Sequence, residues 1–133
     1  MQLSFDIVYI YDELEDGIVL PVILSFGGNP IRTEGCVDTG AAYCVFSNEV
    51  GRQLGLDIET GMPKRFRPAS GGSLDTFGHE VSLQTLGIAF DTVVFFAKYP
   101  GMSRNLLGRN GWLRRLQVGL IDYSNLLYLS KLQ

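Results

Sequence analysis

Hydrophobic and polar residues alternate along much of this chain. In "LSFDIVYI" Leu3, Phe5, Ile7 and Tyr9 fall on one face of an extended segment, and "GIVLPVILSF" and "FDTVVFFA" are β-branched and aromatic runs closed by turn residues. A period of two in such residues is the pattern of strands. The acidic "YDELEDG" between the first two runs reads as a solvated turn. Gly27, Gly28, Asn29 and Pro30 make another turn, and "IRTEGCV" returns as the second strand of a hairpin that runs into Asp38. Helix signals are short. "SNEVGRQLGL" offers Ser47 or Asn48 as N-cap, Val50 and Leu54 on one face, and Gly55 as its end. "RNGWLRRLQ" offers Asn110 as N-cap and predicts about two turns that bury Trp112, Leu113 and Leu116. An all-β protein with one or two short helices is expected.

The pattern also repeats. "GIVLPVILSFGGNPIRTEGCVDTG" and "EVSLQTLGIAFDTVVFFAKYPGMSRNLLG" each read as a hairpin and a tripeptide ending in glycine, with a short helix to follow. The tripeptide is Asp38-Thr39-Gly40 in the first unit and Leu106-Leu107-Gly108 in the second. At 133 residues, 46% of them hydrophobic, the chain is expected to be one domain, residues 1–133, with a sizeable core.

Charge and composition narrow the chemistry by exclusion. A net charge of -3 provides no broad basic field for phosphate backbones, although Lys64, Arg65 and Arg67, and Arg104, Arg109, Arg114 and Arg115, cluster locally. The opening residues lack a positive n-region and a small-residue cleavage site, and no run approaches the ~18 apolar residues of a membrane helix. A cytoplasmic protein with no nucleic-acid or membrane partner is expected. Cys36 and Cys44 read as reduced, buried thiols rather than as a disulfide framework or a redox pair. With one histidine, His79, and no C-x-x-C pair, no metal and no cofactor is expected, and nothing around His79 resembles the setting of a nucleophile. Carboxylates are left as the catalytic groups. Asp38 stands out because it sits in the small, apolar stretch "CVDTGAAYC", where a lone carboxylate is costly unless it has a use. Its bland alternative is to cap a turn through its own backbone bonds.

Three segments taken in order, "CVDTGAAYCVF", "RPASGGSLDTFGHEV" and "NLLGRNGWL", make the chain resemble the retropepsin-like aspartic proteases, from roughly Ile18 to Leu129. The resemblance implies a closed, barrel-like retropepsin fold, with Asp38, Thr39 and Gly40 as catalytic residues. It also implies a flap and cleft formed by Ala41, Ala69, Ser70, Gly71 and Gly72, and a structural role for Leu107, Gly108 and Arg109 near the site. Two departures are visible. The family's retroviral members place an aspartate four residues after the catalytic one to pair with the arginine, and here that position is Ala42. The flap segment is also not the apolar one of retroviral enzymes.

Two carboxyls a few Å apart can activate a water and protonate a leaving nitrogen, because such a pair keeps one proton between them. This chain has no second Asp-Thr-Gly or Asp-Ser-Gly: Asp75 and Asp91 precede threonine without the glycine. The reading that follows is a homodimer acting on polypeptide substrate, with one Asp38 from each subunit and terminal strands available for an intersubunit sheet. Arg109 is expected to tie the second short helix to the site loop or to the partner subunit, and Trp112 to plug the core beneath that helix. Val45, Phe46, Ala69, Phe95 and Phe96 are the candidate pocket walls. The alternatives are a non-catalytic retropepsin-like module for peptide binding or dimerisation, and one half of a heterodimer.

Overall fold

The computed structural model describes residues 1–69 and 71–132; Ser70, one of the expected flap residues, lies outside them. Strands β2 (Val19–Phe26) and β3 (Asn29–Val37) form the first hairpin. Phe26 faces Asn29, so the turn is the two residues Gly27 and Gly28, at φ +57° and +80°. Two successive positive φ values suit the right-handed twist of the strands and require residues without a side-chain clash. Leu20, Val22 and Leu24 point inward from β2 and are buried, as their alternation predicts.

The second hairpin joins β6 (Leu74–Thr85) to β7 (Ile88–Ala97) through Leu86 and Gly87. Two very short strands, β4 (Val45–Phe46) and β8 (Leu106–Leu107), complete a sheet of order β2-β3-β8-β4-β7-β6. β6 also pairs with β2, Val22 opposite Thr85, so the strands close into a ring. β5 (Met62–Phe66) hangs from the outer end of β6. Trp112, Phe46, Phe96 and Leu83 are among the fully buried side chains inside.

The helix α1 (Asn48–Gln53) forms where expected: the Ser47 hydroxyl accepts from the Val50 N–H at 3.2 Å, and Gly55 ends the segment at φ +84°. The second expected helix does not form. Gly111 lies at φ +101° and Trp112 has φ -141°, so helical backbone cannot begin there. A single 3-10 turn, Leu113–Arg115, follows before Leu116 opens β9 (Leu116–Ile121). The cause is tertiary: the indole of Trp112 is fully buried and its Nε1–H donates to Thr85 Oγ1 at 3.0 Å, which dictates the local backbone.

The chain ends pair with each other. β1 (Ile7–Ile10), β10 (Leu126–Lys131) and β9 form a separate three-stranded sheet with β10 in the middle. Among the described residues no strand pairs with the outer edge of β1 or of β9. The expected face of Leu3, Phe5, Ile7 and Tyr9 breaks at a bend on Asp6, whose N–H is held by Ser130 Oγ. Phe5 therefore packs on Tyr128 and over Gly119, on the opposite face from Ile7 and Tyr9, and Leu3 is exposed. The Tyr11 hydroxyl donates to the Asp122 carboxylate, which raises the phenol to about 12 and ties the acidic turn to the β9–β10 connection.

Candidate active site

Asp38 sits just past the end of β3, where that strand runs parallel to β8 with Cys36 beside Leu106 and Val37 beside Leu107. Its own N–H donates to Leu107 O at 3.0 Å. On the far side of the two loops, Arg109 N–H donates to Ala41 O and Asn110 N–H to Ala42 O, each at 2.9 Å. The two glycine-ended tripeptides thus grip each other through backbone bonds. Gly108 lies so close to the first loop that a Cβ there would stand 2.2 Å from Tyr43 O, which only glycine avoids.

One carboxylate oxygen of Asp38, Oδ1, accepts from Gly40 N–H at 3.0 Å and Ala41 N–H at 3.1 Å. This is the turn-capping role, and it orients the carboxylate as well. The other oxygen, Oδ2, has no hydrogen-bond donor among the described residues, and the side chain is half-buried. Gly40 keeps the space open, since a Cβ on it would lie 3.3 Å from Oδ1. Thr39 is exposed beside it.

Above Asp38 runs a groove of about 850 Å³. Ala41, Tyr43, Val45 and Leu106 line it from the loop side, and Phe66, Ala69 and Leu74 from the β5–β6 hairpin. That hairpin is the expected flap. Gly71 and Gly72 lie in its connection at φ +96° and +76°, and Arg65 Nε meets Asp75 Oδ1 at 2.8 Å between its strands. Phe66 anchors it: the rings of Tyr43, Phe66 and Phe95 meet pairwise at 5.3 to 5.8 Å between centroids, joining the flap base to the Asp38 loop.

Of the expected pocket walls, Val45 and Ala69 border this groove. Phe46 and Phe96 do not, being fully buried in the core, and Phe95 borders a different groove, with Asn110 and Arg115. Leu107 is a core residue behind the site. Arg109 ties its turn to the site loop by its backbone, and its side chain is exposed with no carboxylate in range among the described residues. Arg67, Tyr99, Met102 and Arg104 border the groove without having been singled out for it from sequence. Arg67 and Arg104 had appeared only as members of local basic clusters, and Tyr99 and Met102 only within the second unit of the repeat.

Neither cysteine is bonded to the other. Burial pushes the Cys44 thiol up to about 11, partly offset by the Gly108 N–H that donates to its sulfur at 3.4 Å. Such a thiol stays protonated and unreactive at neutral pH. His79 is half-buried, its Nε2 2.8 Å from Ile58 O. Among the described residues no group of three or more histidine, cysteine or carboxylate side chains converges as a metal site would need, and no helix is long and apolar enough to cross a membrane.

Residues 22–111, which include the Asp38 loop, the flap and Gly108, match the family profile described as aspartyl protease. The chain belongs to the aspartyl protease family. Among solved structures, it is similar to a retropepsin-like aspartic protease from Rickettsia conorii, at 16% identity and a TM-score of 0.67 over 97% of this chain and 100% of that one. It is also similar to the EIAV protease, solved with an inhibitor, at 21% identity and a TM-score of 0.53 over 75% of this chain and 88% of that one. These likenesses establish the fold, which is the all-β retropepsin fold. A search of curated proteins found no match.

Proposed function

We propose that this member of the aspartyl protease family is a homodimeric endopeptidase, in which a twofold axis brings the Asp38 carboxyls of two protomers together over one bound polypeptide. The observation that carries the reading is the charge inventory of the groove. Asp38 is the one carboxylate among its described lining residues, and it keeps Oδ2 without a partner. Metal-free peptide hydrolysis by carboxyls takes two of them, and a second copy of the chain is the source.

In such a pair one carboxylate removes a proton from water as its oxygen attacks the scissile carbonyl carbon. The other, protonated, carboxyl donates to the carbonyl oxygen, and the C–N bond then breaks as the nitrogen takes up a proton. Gly40 and Ala41 hold Oδ1 through their N–H groups, so the carboxylate is oriented before substrate arrives. Thr39 is exposed next to Asp38, which supports a hydrogen bond from its hydroxyl across the proposed dimer axis. The flap closes on the polypeptide and limits water around the reacting bond.

Self-association is supported by the terminal sheet. Ile10, Leu126 and Ile121 form one row across its strands, and Ile10 is 73% exposed. With Val8 this makes an apolar outer face of the kind that marks interaction sites. The test is cleavage of a peptide library by wild type and Asp38→Asn, at high protein concentration and from mildly acid to neutral pH. The variant should lose about 10²–10⁴-fold in rate, the range of acid–base catalysis, and wild-type activity should peak on the acid side, where the pair holds one proton. Equal cleavage by both proteins would overturn the proposal.

A further inference from the structure

The groove over Asp38 is cationic in a chain whose net charge is -3. Against its single carboxylate stand two arginines, Arg67 from the flap and Arg104 from the loop that leads into β8. Neither guanidinium has a carboxylate in range among the described residues: the ion pairs there join Arg65 to Asp75 and Lys98 to Glu59. Arg104 instead rests Nη1 on Cys36 Sγ at 3.4 Å, which steadies the guanidinium while its other donors have no partner among the described residues. A third cation adds to the field: Lys64 Nζ lies 4.5 Å above the Tyr43 ring at the flap base.

Ser103 and Arg104 also border a second groove of about 550 Å³, which runs along β3 and contains Arg32 together with Glu15 and Glu34. A polypeptide that extends past Asp38 in that direction meets Arg104 on the way. Most of the remaining lining near Asp38 is apolar. An acidic side chain next to the scissile bond would face Asp38 and be repelled, whereas one or more residues further out it would meet an unpaired guanidinium.

We infer that Arg67 and Arg104 select polypeptides carrying aspartate or glutamate a short distance from an apolar scissile pair. The inference rests on the protease reading. In the proposed homodimer each arginine occurs twice, so four guanidinium groups surround a carboxyl pair that shares one proton.

The test uses matched peptides with an apolar central pair, flanked at successive positions by glutamate or by glutamine. For wild type, kcat/KM should favour glutamate by about three- to tenfold at the best position, the scale of a partly exposed ion pair, and the preference should shrink at high salt. It should fall towards one in Arg67→Gln combined with Arg104→Gln. Equal cleavage of the matched peptides by wild type, or a preference that survives in the double variant, would overturn the inference and leave the protease reading standing. If no peptide is cut, that reading fails by itself, and fluorescence anisotropy of the same peptides on Asp38→Asn protein decides the inference. Tighter binding of the glutamate peptide supports it; equal binding, or none, overturns it.

Discussion

Glycine at position 108 carries more of the site's geometry than its neighbours do. A methyl group there would meet Tyr43 O at 2.2 Å and Ala41 O at 2.9 Å, both backbone atoms that cannot swing away. Gly108→Ala should therefore destabilise the fold by about 3 kcal/mol or more, at or beyond the top of the overpacking range, read as a shift in the urea midpoint. Unchanged stability would mean that the two loops are not locked. Cys44, a few residues from Asp38, makes a pH prediction. Its thiol rises from an ordinary value near 9 to about 11 because it is buried, so folding favours the protonated form. That contribution is complete below about pH 9 and is lost as pH climbs towards 11, since the unfolded chain releases the proton first. The loss is on the order of 2–3 kcal/mol, and Cys44→Ala should show a smaller decline in urea midpoint between pH 8 and 10.5.

For single elements, what was readable in the sequence was what is decided locally. Alternating and β-branched runs marked β2 and β7, the repeat marked a hairpin at β6–β7, and Ser47 with Gly55 bracketed α1, whereas the turn expected over Gly27 to Pro30 is only Gly27 and Gly28, because Asn29 and Pro30 already pair in β3. Asp38-Thr39-Gly40 and Leu106-Leu107-Gly108 were legible as a pair because both units of the repeat place them after a hairpin. Contacts made across the fold were not legible. The helix expected after Asn110 gave way to a 3-10 turn because Trp112 must reach Thr85, 27 residues back in the chain. Phe5 left its expected face because Asp6 bends towards Ser130. Arg67 and Arg104 were visible only as members of local basic clusters, since the groove that unites them is assembled from distant segments. Gly71 at φ +96° takes a conformation that a β-branched residue resists. Gly71→Val should lower kcat/KM severalfold through the flap's closing motion, while the melting temperature, set by the ring of strands, changes by only about 2 °C. A large fall in melting temperature with intact turnover would contradict that division.

Across the whole molecule, the ring of strands holds the Asp38 loop and the terminal sheet presents an exposed apolar face, and the proposed homodimer draws on both. Ile10→Lys places a charge in that face and should raise the dissociation constant of the dimer by about tenfold or more, as followed by sedimentation equilibrium. Specific activity should fall in parallel on dilution. The most direct test of shared catalysis mixes wild type with Asp38→Asn protein at a fixed wild-type concentration, after co-refolding so that protomers exchange. If each active centre needs the Asp38 of both protomers, equimolar variant should cut the activity per wild-type chain to about half, because random pairing sequesters that share in inactive mixed dimers. Activity that does not change as the variant is added would show that one chain catalyses alone, and would contradict the paired-carboxyl account.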